Sequence, residues 1–105
     1  MAEIPYQIKK IIDQYIRELE ANDIHIGKAI LFGSYARGNA DDWSDIDIAL
    51  VSEAFEGDRL EDRNKIRKIT LSVSSDLSPL PFRPEDFSPE NPFVKEIIEK
   101  GITLV

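Results

Sequence analysis

The chain has 105 residues, 20 acidic and 13 basic side chains, and a formal net charge of -7. The acid excess argues against a non-specific grip on DNA or RNA, whose phosphates need a basic surface. Cysteine is absent and His25 is the single histidine; disulfide scaffolds, thiolate zinc, cysteine nucleophiles and multi-histidine metal sites are therefore excluded. Hydrophobic residues make up 42%, yet no run approaches the ~20 apolar residues of a membrane span. Met1–Tyr6 lacks the basic lead of a signal sequence. These features describe a small, acidic, cytoplasmic domain without a membrane segment, and residues 1–105 are read as one domain with its own core.

Ile4, Ile8, Ile11, Ile12, Tyr15, Ile16 and Leu19 recur with a 3.6-residue period and predict a first amphipathic helix. Pro5 suits its first turn and Asn22-Asp23 its end. Its stripe suits packing on a sheet or on a partner, in a homo-oligomer or a heterocomplex. His25 falls at the surface beyond it. Lys28–Phe32 is a short apolar run stopped by Gly33, the pattern of a buried strand. Ser34–Arg37 fits one helical turn, with Ser34 as its cap and Gly38 as its close. Asn39–Ser44 is a polar loop. Asp45–Val51 alternates strictly, with Ile46, Ile48 and Leu50 on one face and Asp45 and Asp47 on the other, so it reads as a strand.

Asp58 is a candidate cap for a helix running to about Leu71. A strand over Ser75–Leu80 follows, confined to a sheet edge or a strand end by Pro79 and Pro81. Pro84–Pro92 is a proline-rich loop, and Pro79–Pro92 suits an irregular segment covering a sheet edge. Phe93–Lys100 is a short helix closed by Gly101, and Ile102–Val105 adds a last strand. Helices and strands alternate throughout, which makes the fold a mixed α/β (α+β) arrangement: a small sheet flanked by helices.

The charge is unevenly distributed. Asp41–Asp62 holds nine acids and one base, and the other 83 residues carry a balance of +1. Gly33-Ser34 ends one strand shortly before that window, and Asp45-Ile-Asp47 inside it opens the next, with ten residues between Ser34 and Asp45. A Gly-Ser turn lets the backbone approach a ligand and offers N–H groups and a hydroxyl to a phosphate. Aspartates at i and i+2 of a strand share a face, roughly 7 Å apart along the chain. That arrangement suits one or two hard cations held together with substrate phosphates. A phosphate cradle beside metal carboxylates is the chemistry of nucleotidyl or phosphoryl transfer.

The stretches Leu31-Phe-Gly-Ser-Tyr-Ala-Arg-Gly38 and Ser44-Asp-Ile-Asp-Ile-Ala-Leu-Val51 closely resemble the minimal nucleotidyltransferases of the DNA polymerase β-like superfamily. The signature there is Gly-Ser, ten residues, Asp-x-Asp. The resemblance implies a polymerase β palm-like fold and transfer of a nucleoside monophosphate, AMP from ATP, to an acceptor hydroxyl. It assigns Gly33, Ser34 and Arg37 to the triphosphate, and Asp45 and Asp47 to Mg²⁺, with two ions when the NTP is bound. Active members carry a third carboxylate on a following strand, serving as ligand and base. Asp76 is the candidate, with Ser74 in that place if the register differs. The resemblance also implies a small helical HEPN-type partner, as in toxin–antitoxin pairs whose nucleotidyltransferase modifies the partner. The alternative is a non-catalytic subunit that neutralises or scaffolds its partner by binding.

Other residues have plainer readings. Asp41 and Asp42 suit a solvated loop, Ser44 a turn, and Trp43 packing beside the acidic pair rather than stacking on a base. Arg37 suits either phosphate contact or loop anchoring. Lys65, Arg67 and Lys68 form a solvated helix face.

Overall fold

The computed structural model describes residues 4–41 and 43–105. Met1, Ala2, Glu3 and Asp42, the last read above as part of a solvated loop, lie outside them. The elements follow in the expected order: α1 (Tyr6–Ala21), β1 (Lys28–Phe32), α2 (Ser34–Arg37), β2 (Ile46–Val51), α3 (Arg59–Val73), β3 (Leu77–Phe82), a 3₁₀ turn (Pro84–Asp86), α4 (Pro92–Lys100) and β4 (Ile102–Thr103). The strands form one sheet in the order β3-β2-β1-β4. β2 runs antiparallel to β1 and parallel to β3, and β4 pairs antiparallel with β1.

Strand alternation divides the core into two layers. Ala29, Leu31, Ile46, Ile48, Leu50 and Leu77 face α1 and α3, where they meet Ile12, Tyr15, Leu19 and Ile66. Ile30, Ala49, Val51 and Phe82 face the other way, against Val94 and Ile97 of α4. The α1 stripe is thus spent within the chain: Ile12, Tyr15 and Leu19 are buried and Ile8, Ile11 and Ile16 pack around them. Asp45 and Asp47 fall on the α4 side, because Asp47 pairs with Phe32 of β1 and Ser78 of β3.

β3 begins and ends two residues later than expected and runs through both prolines. It is an edge strand. The carbonyls of Asp76 and Phe82 accept N–H groups of Ile46 and Ser52 on the β2 side. Even-numbered residues therefore hydrogen-bond inward, and Pro79 and Pro81, which have no N–H to give, point outward. The proline-rich segment runs along the α4 side, where Phe87 stacks edge-on against Phe82 with ring centroids 5.1 Å apart.

Polar contacts at the start of α3 fix its entry from β2. The Asp58 side chain caps α3 as expected, accepting the N–H groups of Leu60 and Glu61. One turn on, the buried Asp62 carboxylate accepts the N–H groups of Glu56 and Gly57 at 2.8 and 2.9 Å, fixing the β2–α3 loop. Asp62→Ala is expected to cost about 3 kcal/mol, since both donors and the loop lose their anchor. Urea denaturation checks this, with Asp62→Asn intermediate because it keeps one acceptor oxygen.

On the neighbouring helix, Tyr15 is fully buried. Its hydroxyl lies 2.6 Å from Thr70 Oγ1, which itself donates to the Ile66 carbonyl. The Thr70 proton is therefore engaged, and Tyr15 is the donor in the pair. Burial pushes the Tyr15 hydroxyl from 10.0 up to about 12, against the opposing effects of Thr70 and Arg63. A raised acid pKa stabilises the fold fully below the unfolded value and is lost as pH climbs through the folded value. Stability is thus expected to fall by about 2–3 kcal/mol between pH 10 and 12. Chemical unfolding across that range should show the slope in the native chain and lose most of it in Tyr15→Phe.

Candidate active site

β1 brings the chain to one end of the sheet and stops at Gly33, where φ is 74° and ψ is -146°. That backbone region belongs essentially to glycine. Space imposes the same choice: a Cβ at Gly33 would overlap the Asp47 carboxylate. The turn after β1 and the β2 carboxylate are therefore in direct apposition.

Gly33 itself occupies the cap position of α2, and no side chain caps the helix. This corrects the expectation for Ser34, which is instead the first helical residue. Gly38 closes the turn in the left-handed conformation at φ 78°, as expected. Arg37, exposed at the end of α2, faces Asp47 closely enough to favour its charged form.

Asp45 is exposed and Asp47 half-buried. Burial raises the Asp47 carboxyl above its ordinary value; repulsion from Asp45 adds to this and Arg37 opposes it. Two carboxylates that repel each other, one of them poorly hydrated, gain from a shared cation. Mg²⁺ fits this donor set, because it is commonly held by one or two carboxylates with substrate phosphates completing the shell.

Asp76 stands differently. Its carbonyl accepts the Ile46 N–H at 2.8 Å, which extends the β2–β3 ladder and sets Asp76 level with Asp45. Ser74 does not take that place; it ends α3, and its hydroxyl accepts the Asp76 N–H at 3.2 Å. The Asp76 side chain is exposed. Among the described residues no group of three or more Asp, Glu or His side chains is gathered to hold a metal ion. The structure thus unites Gly33, Ser34, Arg37, Asp45 and Asp47 at one sheet end and leaves Asp76 at its rim, in register but apart. The β3 residue opposite Asp47 is Ser78, which sequence reasoning missed because the register decides it.

The loop before β2 departs from expectation at Trp43, which is 92% exposed instead of packed. The loop closes on itself: Asp41 Oδ1 accepts the Trp43 N–H at 2.9 Å, and Ser44 Oγ accepts the Asp41 N–H at 3.0 Å. With its turn satisfied by polar groups, the loop has no apolar surface to cover the indole. Lys65, Arg67 and Lys68 are exposed as expected, and Lys65 Nζ donates to the Ala54 carbonyl. His25 is exposed, with Nδ1 3.0 Å from Glu20 Oε1.

A cavity of about 370 Å³ opens in front of Asp47, bounded by Gly33 and Arg37 on one side and by Phe93, Glu96 and Lys100 of α4 on the other. A larger one, about 680 Å³, lies at the opposite end of the sheet, between Gly27, Val51 and Phe87, and is lined by none of Gly33, Ser34, Arg37, Asp45, Asp47 and Asp76.

Over residues 9–105 the chain matches the family described as the nucleotidyltransferase domain. The chain belongs to that family. This nucleotidyltransferase domain is 28% identical over 86 residues to a Methanocaldococcus jannaschii protein provisionally named a protein adenylyltransferase. The match covers 77% of the chain and spans 58% of the length of that relative. The domain also shares its fold with the crystal structure of a protein from Sulfolobus solfataricus, provisionally named a nucleotidyltransferase. There the TM-score is 0.63 at 18% identity, over 92% of this chain and 78% of the other. Among the described residues no helix is long and apolar enough to cross a membrane.

Proposed function

We propose that this nucleotidyltransferase domain transfers a nucleoside monophosphate, AMP from ATP, to an acceptor hydroxyl on another protein. The apposition of Gly33 and Asp47 carries the reading: a phosphate seated on the Gly33-Ser34 turn lies next to the β2 carboxylates. Membership of the family and the name of the archaeal relative support nucleotide transfer and a protein acceptor. The acceptor oxygen bonds to the α-phosphorus as the bond from that phosphorus to the bridging oxygen breaks; pyrophosphate leaves, and the hydroxyl proton passes to a carboxylate or to water.

Each residue has a stated part. The N–H groups and hydroxyl of the Gly33-Ser34 turn hold phosphate oxygens, and Arg37 offsets their charge from the end of α2. Asp45 and Asp47 hold Mg²⁺, which when bound supplies charge stabilisation to the phosphoryl centre as it reacts. Asp76, level with Asp45 in the strand register, is the third carboxylate in this reading, a further ligand and the base that accepts the acceptor's proton. A HEPN-type helical protein is the acceptor proposed, in a toxin–antitoxin pairing.

The exposed position of Asp76, away from any three-carboxylate group, favours one second reading: a subunit that binds its partner without turnover. Incubating the protein with Mg²⁺, α-labelled ATP and the partner separates the two. Label on the partner, lost in Asp45→Asn/Asp47→Asn, supports the transferase. Absence of label with any divalent metal, and neutralisation of the partner by the double variant, would leave the binding subunit.

A further inference from the structure

The cavity before Asp47 has a second wall that the signature motif does not contain. Phe93, Glu96 and Lys100 recur at i, i+3 and i+7 of α4 and line the same space as Gly33, Arg37 and Asp47. Their position is fixed. Val94 and Ile97, on the inner face of α4, are buried against Ile30, Ala49, Val51 and Phe82. The helix ends at Gly101, where a Cβ would overlap Ile30 and the carbonyls of Leu31 and Ile97. The next residues pair with β1, Ile102 with Leu31 and Thr103 with Ile30. The α4 wall is therefore anchored to the strand that delivers Gly33.

Its chemistry suits the two ends of a nucleotide. Phe93 is 43% exposed, far more than an apolar ring needs for packing, and stands edge-on to Phe32 with centroids 6.2 Å apart. A ring held in that way leaves a face free for a base. Lys100 Nζ lies 3.3 Å from Glu96 Oε1, and both side chains are well over half exposed. A solvated i, i+4 pair is worth little, so Lys100 is readily exchanged from Glu96 to a stronger anion. Lys95 pairs with Glu99 on the neighbouring row and does not line the cavity.

We infer that α4 is the specificity wall of the nucleotide site, with Phe93 seating the base and Lys100 binding the polyphosphate opposite Arg37. This rests on the proposed nucleotide reading of the site. Binding of ATP, ADP and AMP, with fluorescent ATP as the displaced probe in millimolar Mg²⁺, tests it. Lys100→Met keeps the alkyl stem; it is expected to weaken ATP about tenfold and AMP much less, so that the preference for ATP over AMP shrinks. Phe93→Ala is expected to weaken ATP and AMP alike, by about tenfold. Lys95→Met, on the outer row, should bind as the native protein does. Melting curves within a few degrees of native confirm that each variant is folded. Native binding with unchanged ATP and AMP affinities in Lys100→Met and Phe93→Ala would overturn the inference while leaving the nucleotide reading intact. If the native protein binds none of the three nucleotides, the nucleotide reading falls and takes this inference with it.

Discussion

Asp47→Asn is expected to melt at a higher temperature than the native protein while losing nucleotidyl transfer. The two effects have one cause. Asp47 keeps a carboxylate half-buried beside Asp45, and burial first, then the Asp45 charge, disfavours its ionised form. At neutral pH the apo fold carries that cost, and an isosteric amide removes it. Arg37 offsets part of the repulsion and solvent screens more, so the rise is small. Adding Mg²⁺ with ATP should stabilise the native protein by mass action and leave the variant unmoved. Transfer should fall at least about a hundredfold, or ~3 kcal/mol of transition-state stabilisation. Melting curves with and without Mg²⁺-ATP, beside label transfer, check both halves. A variant that melts lower than the native protein would show that Asp47 serves the apo fold and does not strain it.

Gly33→Ala is the second large effect, and it acts on stability and binding together. The new methyl meets the Asp47 carboxylate and sits at a positive φ that side chains avoid. Strain of this kind costs about 1–3 kcal/mol. In a domain of this size that is a fall in Tm of at least about 4 °C. Relief comes only by moving the turn or the carboxylate, so ATP affinity should drop roughly tenfold to a hundredfold. Gly38→Ala, also at positive φ but with no cavity contact, should lower Tm comparably and spare most of the ATP affinity. Losing affinity equally in both would assign the effect to loop order instead of the Gly33–Asp47 apposition.

Much of this was legible in local pattern. β1 is bounded as expected, because a buried five-residue run before a glycine admits little else. Asp58 caps α3 by the hydrogen bonds its side-chain type predicts. The spacing set Gly33-Ser34 at the end of one strand and Asp45-Ile-Asp47 at the start of the next; the antiparallel pairing of those strands brings the two together. The errors lie where context outweighs pattern. Ser34 is a good cap by type, yet the close approach of Asp47 gives the cap position to Gly33. Trp43 is apolar enough to pack, yet its loop folds on its own polar groups and leaves it bare.

The opening excess of acid takes on a sharper meaning in the same way. By itself the sequence determined the element types, the strand faces and the clustering of negative charge around Asp45 and Asp47. These follow from periodicities and side-chain preferences that act over a few residues. Only the tertiary structure decided that Ser78 faces Asp47, that Asp76 stays at the rim, and that α4 supplies the second wall of the cavity. Those are matters of register and of helix docking. They are set by how two apolar faces of one sheet are covered, and residues sixty positions apart meet only when that covering is complete.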